Sequence, residues 1–269
     1  MPVASINGMD LNYVIGGHGP AVVFLHGYTG SMQDWANQIE ALSPQYQVVA
    51  LDHRGHGGSA APSREEDYSV EILADDAFHL LTTLGIGRCC LVGHSLGGFT
   101  ALQFAMEHQD MLAGLVLVDT SSGAFGRDPG YAQLRQKLDE LARTQGMEAA
   151  FEFDAANNPV RIERFRKQPE QKDIARRKAL QTSVNGYIYM SRAISRWQPL
   201  TDRLPEIRVP TLIFWGDEDL PFEQPSRTMN EGIPDSELVI IGGAGHSPHE
   251  EAPDVFNQVL TRFLAGIKW

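Results

Sequence analysis

The sequence predicts an α/β protein: a mostly parallel sheet covered by helices on both faces, interrupted by one helical insertion. Three observations carry this. Short, continuous apolar runs alternate with segments of helical periodicity, the pattern of strands buried on both sides. The alternation stops after Val118, and from Phe125 to Leu204 only helical periods are found. It resumes at Thr211, with Pro205 and Pro210 marking the exit from the insertion.

The elements follow in order. Val3–Ile6 and Met9–Ile15 flank Asn7-Gly8, a dipeptide that tolerates positive φ and signals a hairpin. Ala21–Leu25 and Gln47–Leu51 are strand-like apolar runs, with a helix expected between them over Met32–Leu42. Ser69–Leu84 places Val70, Leu73, Ala74, Ala77, Leu80, Leu81 and Leu84 at helical spacing. Cys89–Val92 reads as a strand, Leu96–Glu107 as a buried helix and Leu112–Val118 as a strand. Within the insertion, helices are expected over Tyr131–Ala142, Gln171–Ser183 and Gly186–Trp197. Thr211–Trp215, Glu223–Glu231, Leu238–Ile241 and Pro253–Ala265 restore the strand and helix alternation. The expected division is therefore a core of residues 1–124 and 206–269, with a helical cap at 125–205.

The composition supports one globular α/β unit. The 269 residues are 42% hydrophobic and 21% charged, with 26 Gly and 15 Pro, too few for a collagen-like or low-complexity chain. The formal charge of −12 argues against a nucleic-acid partner, because an acidic chain is repelled by phosphates. The insertion differs: residues 125–205 hold 15 Lys/Arg and 10 Asp/Glu, a surplus of five positive charges, which leaves −17 on the remainder. Arg161, Arg164, Arg166, Lys167, Arg176, Arg177 and Lys178 are expected mostly to form a solvated helix face. Electrostatic docking on the acidic body, or attraction of an anionic substrate, is the other reading. Cys89 and Cys90 are adjacent and read as small apolar strand residues. With no signal peptide and no apolar run long enough to span a membrane, a cytoplasmic location without a membrane partner is expected. The sequence leaves the oligomeric state open.

The chemistry centres on Gly93-His94-Ser95-Leu96-Gly97-Gly98, which closes a strand and opens a helix. That is the setting of a nucleophile elbow. The turn is sharp enough that the residues two before and two after the serine must be small. It would lift Ser95 Oγ above the sheet edge and aim the Leu96 N–H at a developing oxyanion. A serine hydroxyl needs a base, and the base needs an orienting acid. Asp217, Glu218 and Asp219 follow one later strand and His246 the next, so the order is nucleophile, acid, histidine.

These motifs resemble the α/β-hydrolase superfamily, in its group of small capped serine esterases and lactonases. The marks are His26-Gly27, Asp52-His53-Arg54-Gly55-His56-Gly57-Gly58-Ser59, Gly93–Gly98, Gly216–Asp219 and Gly245-His246. The resemblance implies an α/β-hydrolase fold, with an eight-stranded, mostly parallel sheet and the cap inserted after strand 6. It selects Asp219 as the acid, leaving Asp217 and Glu218 to solvent. Asp119, an alternative acid position in some relatives, is expected to be a structural turn residue. The resemblance also places a second oxyanion donor at the backbone N–H of Tyr28. His26 is expected to be a hydrogen-bonded structural residue and His94 to point beneath the nucleophile. His249 is expected at a helix start or in a salt bridge, and Asp52 and Arg54 are expected to brace a loop beside the site.

No metal site and no dinucleotide fingerprint emerges, and the chemistry needs no cofactor. Serine at position 95 implies acyl transfer rather than the aspartate chemistry of related dehalogenases and epoxide hydrolases. A carboxylic ester or lactone, with N-acyl homoserine lactones among the candidates, is the expected small-molecule substrate. Carbon–carbon bond hydrolysis or perhydrolysis on the same triad is an alternative, and a hydrolase-like ligand receptor is one of another class. Tyr28-Thr29-Gly30 stands where the carbon–carbon hydrolases carry Gly-Pro-Gly. Phe99 stands where menaquinone-pathway synthases carry arginine. Both departures weigh towards ester or lactone cleavage. Tyr28, Ser122, Phe151, Tyr187, Met190, Trp197 and Leu220 are the expected substrate-pocket residues.

Overall fold

A computed structural model describes residues 2–123 and 129–269. The hairpin β1 (Val3–Ile6) and β2 (Met9–Gly16) precedes β3 (Ala21–Leu25). A 3-10 turn over Met32–Trp35 runs into α1 (Ala36–Leu42), so the single helix expected there begins with a tighter turn. Then come β4 (Gln47–Leu51), α2 (Val70–Thr83), β5 (Cys89–His94), α3 (Leu96–His108) and β6 (Leu112–Val118). Among the described residues, five α-helices and a 3-10 helix (Thr201–Glu206) separate β6 from the next strand: α4 (Pro129–Gln145), α5 (Met147–Asn157), α6 (Pro159–Lys167), α7 (Glu170–Leu180) and α8 (Val184–Arg196). The chain ends with β7 (Thr211–Gly216), α9 (Glu223–Gly232), β8 (Ser236–Ile241), α10 (Pro248–Glu251) and α11 (Pro253–Gly266). The sequence pattern supplied α4, α7 and α8 but not α5 or α6. The expected start of the insertion at residue 125 lies outside the described residues.

The eight strands form one sheet in the order β1-β2-β4-β3-β5-β6-β7-β8. β2 pairs antiparallel with β1 and β4, and all pairings from β4 to β8 are parallel. Successive side chains of a strand point to opposite faces, and both faces are covered. Ala21, Val23 and Leu25 pack in one apolar cluster with α2 and α3, while Val22 and Phe24 pack in a second with Trp35, Phe256, Leu260 and Leu264. Every residue of β3, β5, β6 and β7 is buried, which is why these strands read as unbroken apolar runs. Cys89 and Cys90 are buried in this core, and burial raises both thiols, that of Cys89 to about 12.

The parallel register puts the carboxyl ends of β3, β5, β6, β7 and β8 along one edge. Loops bearing His26-Gly27-Tyr28, Ser95, Asp119, Asp219 and His246 leave from that edge. Crevices at this edge are where open α/β sheets bind ligands.

The basic residues of the insertion divide between the two readings: Arg166 and Arg177 lie on exposed faces, while Arg164, Lys167 and Lys178 dock on the body. Arg164 pairs with Glu251 at 2.7 Å, Lys167 with Glu218 at 3.3 Å, and Lys178 with Glu250 at 2.6 Å and Asp34 at 3.2 Å. All four acids lie outside the insertion, so α6 and α7 dock on the acidic body through ions. Arg161, Arg166 and Arg176 pair with acids of the insertion itself, namely Asp154, Glu163 and Glu148.

Candidate active site

Ser95 sits between β5 and α3 at φ 52° and ψ −112°, a conformation that L-residues rarely adopt. The turn is held by the Ser95 N–H donating to Val118 O at 2.9 Å and by Thr120 Oγ1 donating to Ser95 O at 2.8 Å. Crowding fixes the small residues around it. A Cβ on Gly93 would stand 2.2 Å from Gly97 O, and one on Gly97 would stand 2.1 Å from Leu25 O.

His246 follows β8 and reaches back to the serine. Its Nε2 lies 3.1 Å from Ser95 Oγ, and its Nδ1 lies 2.6 Å from Asp219 Oδ2. The carboxylate accepts, so Nδ1 carries the proton and Nε2 is left as acceptor for the serine hydroxyl. The acid is itself anchored: Asp219 is buried, its N–H donates to Gly216 O and its carbonyl accepts from Trp215 Nε1. The Phe222 ring lies 5.0 Å from the imidazole. Of the neighbouring carboxylates, Asp217 and Glu218 are exposed; Asp217 accepts from the Gly243 N–H, and Glu218 pairs with Lys167. Asp119 is fully buried and accepts from the Gly216 N–H. Burial first, and then the Asp219 carboxylate, push its acid well above the usual range.

Leu96 opens α3, so its N–H is one of the four that a helix leaves without an internal acceptor. Tyr28 lies one residue beyond Gly27, at the end of β3. Its phenol donates to the carbonyl of Tyr187 in α8, and its ring stacks on the Tyr187 ring at 5.6 Å. The Arg135 guanidinium from α4 lies 4.4 Å from the Tyr187 ring centre and donates to Tyr28 Oη at 3.2 Å. The loop that carries Tyr28 is thus joined to α4 and α8.

The remaining pocket candidates fall in different places. Met190 and Trp197 are buried in the apolar cluster that includes Leu96 and Phe99; the Trp197 ring lies 5.1 Å from Phe99, and its indole donates to Gln103. Ser122 is buried and shares a 3.0 Å hydroxyl contact with Thr201, where the chain leaves the insertion. Phe151 packs in a small cluster with Ala155 and Ala179 inside the insertion. Leu220, directly after Asp219, is 69% exposed.

Histidines buttress the site. His26 Nδ1 donates to Gly27 O, and its Nε2 accepts from the His53 N–H at 2.9 Å, a neutral structural ring. His94 Nε2 donates to the carbonyl of His246 at 2.6 Å, tying the end of β5 to the loop after β8. His249 stands at the start of α10 and makes no salt bridge among the described residues: its ring is buried and stacks on Trp35 at 4.2 Å, while Glu250 and Glu251 beside it pair with Lys178 and Arg164. Burial lowers the ionisation of His26, His53, His56, His94 and His249, that of His56 to about 3. Asp52 accepts from the Met32 and Gly58 N–H groups, and Arg54 forms a buried bidentate pair with Asp76 at 2.7–2.8 Å. Sequence reasoning missed the hold of His94 on His246 and the role of Glu251. The carboxylate of Glu251 accepts from the N–H groups of Gly245 and Ser247, on either side of the histidine.

Together the sheet order, the strained serine and the contacts of His246 define a hydrolase-type α/β fold. The chain matches the α/β-hydrolase fold family model over residues 20–253 and belongs to that family. A putative 2-succinyl-6-hydroxy-2,4-cyclohexadiene-1-carboxylate synthase of Bacillus subtilis (strain 168) is 30% identical, over 96% of each chain. The enol-lactonase of Burkholderia xenovorans LB400 superposes with a TM-score of 0.85 at 29% identity, covering 98% of this chain and 100% of the other. A thermophilic esterase of Thermogutta terrifontis gives a TM-score of 0.86 at 28% identity, covering 98% and 97%.

Proposed function

We propose that the protein is a serine hydrolase that cleaves carboxylic esters or lactones through an acyl-enzyme on Ser95. The observation that carries this reading is the continuous contact from Asp219 through His246 to Ser95, at 2.6 and 3.1 Å, on a serine held at positive φ. His246 Nε2 takes the Ser95 proton as Oγ attacks the carbonyl carbon. Asp219 keeps Nδ1 protonated and stabilises the imidazolium that forms. The N–H groups of Leu96 and Tyr28 receive the negative oxygen of the tetrahedral intermediate. The imidazolium then protonates the departing alkoxide, and the ester bond breaks. Water enters, His246 takes its proton, and a second tetrahedral intermediate collapses to free acid and serine. In a lactone the leaving oxygen stays tethered to the acyl chain, so one hydroxy acid is released.

Residues 125–205 act in this reading as a cap that selects the acyl group. Tyr28, Ser122, Phe151, Tyr187, Met190, Trp197 and Leu220 remain the pocket candidates. Tyr28 and Leu220 have the firmest claim, since each belongs to a loop that carries site chemistry. The similar enol-lactonase and esterase structures support the substrate class.

The test is steady-state hydrolysis of p-nitrophenyl esters of increasing chain length, an N-acyl homoserine lactone, an enol-lactone and an aromatic diketone. Repeated turnover on esters or lactones is expected. Ser95→Ala should reduce it by about three orders of magnitude or more with the fold intact. Turnover of the diketone alone would move the protein to carbon–carbon hydrolysis, and binding without turnover would make it a receptor. Full activity in Ser95→Ala would remove the nucleophile assignment.

A further inference from the structure

Glu251 holds the chain on both sides of His246. Oε2 accepts from the Gly245 N–H at 2.6 Å, and Oε1 accepts from the Ser247 N–H at 3.1 Å. The carboxylate is buried, with 5% of its side chain exposed. A buried carboxylate is costly without a countercharge. The countercharge comes from the insertion: Arg164 Nη2 in α6 donates to Glu251 Oε1 at 2.7 Å and to Gln171 Oε1 at 3.2 Å. The same oxygen therefore receives the guanidinium and the amide that follows His246.

We propose that Arg164 is a positioning residue: by neutralising Glu251 it keeps the His246 loop in register with Ser95, so the seating of α6 tunes the rate of turnover. This rests on the assignment of Ser95 and His246 as nucleophile and base. Without Arg164 the carboxylate is drawn towards water and releases two amides that fix the loop. His94 still holds the His246 carbonyl, so the loop loosens without leaving the site. Small misplacements of a catalytic group cost much in rate, whereas substrate binding need not change.

The test combines ester turnover with amide hydrogen exchange in Arg164→Met, Arg164→Lys, Glu251→Gln and the double variant Arg164→Met/Glu251→Gln. In Arg164→Met, kcat should fall about tenfold with KM within about twofold. Arg164→Lys should recover most of the loss. In the Glu251→Gln background the Arg164→Met change should have little further effect, because the group it acts through is gone. Exchange of the segment holding Gly245 and Ser247 should quicken in Arg164→Met and not in Arg164→Lys. Unchanged exchange in Arg164→Met would overturn the proposal whatever the activity. So would a loss confined to KM, an Arg164→Lys variant as poor as Arg164→Met, or independent effects in the double variant. Faster exchange in a protein that hydrolyses no ester or lactone would instead uphold the coupling and remove the functional reading.

Discussion

The sheet and the inserted helices are held by different forces. Strands β3, β5, β6 and β7 are buried at every residue, and their neighbours are apolar. Helix α6 has no buried residue and α7 has one, Ala179, yet both are pinned to the body by Arg164, Lys167 and Lys178. α8 mixes the two modes: Met190 and Ala193 join the sheet's apolar cluster, while Arg192 pairs with Glu65 at 2.8 Å. Apolar burial is non-directional and is not weakened by charge screening. Ion pairs are directional and fall with screening. The site lies where these regimes meet, with Ser95 on the sheet side and its partner loops held partly by charges from the insertion.

The largest effect that would sharpen this contrast belongs to the sheet. Gly97→Ala places a Cβ 2.1 Å from Leu25 O, a backbone atom that cannot move aside without shifting β3. A loss of about 3 kcal/mol or more is expected, read as a lower midpoint in thermal or urea unfolding. Unchanged stability would mean that the elbow is less tightly packed against β3 than the geometry requires.

Acid gives the next largest effect and divides the regions differently. All nine histidines lie outside residues 125–205. Five of them, His26, His53, His56, His94 and His249, are buried and kept neutral. Unfolding exposes them, so below pH 6.5 the unfolded chain binds protons that the folded chain refuses. Each histidine contributes stability that is present above its unfolded value and is lost as pH falls towards its folded one, about 3 for His56. The slope per group is about 1.4 kcal/mol per pH unit. Asp34, Asp119 and Glu250 are raised by burial and act in the opposite sense, losing stability as pH rises through their folded values. The two sets oppose one another, and the histidines account for whatever stability is lost on acidification. His249→Phe should make unfolding less steep in pH by about one proton, since the ring packs among Trp35, His94 and Phe256 and its nitrogens have no hydrogen-bond partner among the described residues. An unaltered pH dependence would remove His249 from the set.

The same contrast explains what was legible in the sequence. Strands β3, β5, β6 and β7 were readable because burial on both faces leaves mostly apolar residues in them. The elbow was readable because Gly93 and Gly97 answer a local steric demand, and His246 because it follows a strand and glycines. Helices α5 and α6 were not, because α6 buries no apolar stripe and α5 is spread between packing inside the insertion and solvent. The docking of Arg164, Lys167 and Lys178 is not legible in the sequence, since their partners lie as far along the chain as Asp34 and Glu251 and only the fold brings them together. Glu251 escaped notice for a related reason: it acts on backbone amides, which leave no side-chain motif.

Salt should give the smallest effect, and it tests the contrast most directly. At about 1 M the screening length is roughly 3 Å, short enough to weaken exposed and half-buried pairs. Lys167–Glu218 has side-chain exposures of 45% and 37%, so it should yield first. Lys178, at 22% exposure between Asp34 and Glu250, should yield later. Amide exchange in α6 and α7 should therefore quicken at high salt while that of β5 and β6 stays fixed. Equal protection in all four elements would mean that the insertion is held by packing after all. A rise confined to α6, with α7 unchanged, would rank Lys178 as the stronger anchor, as its burial implies.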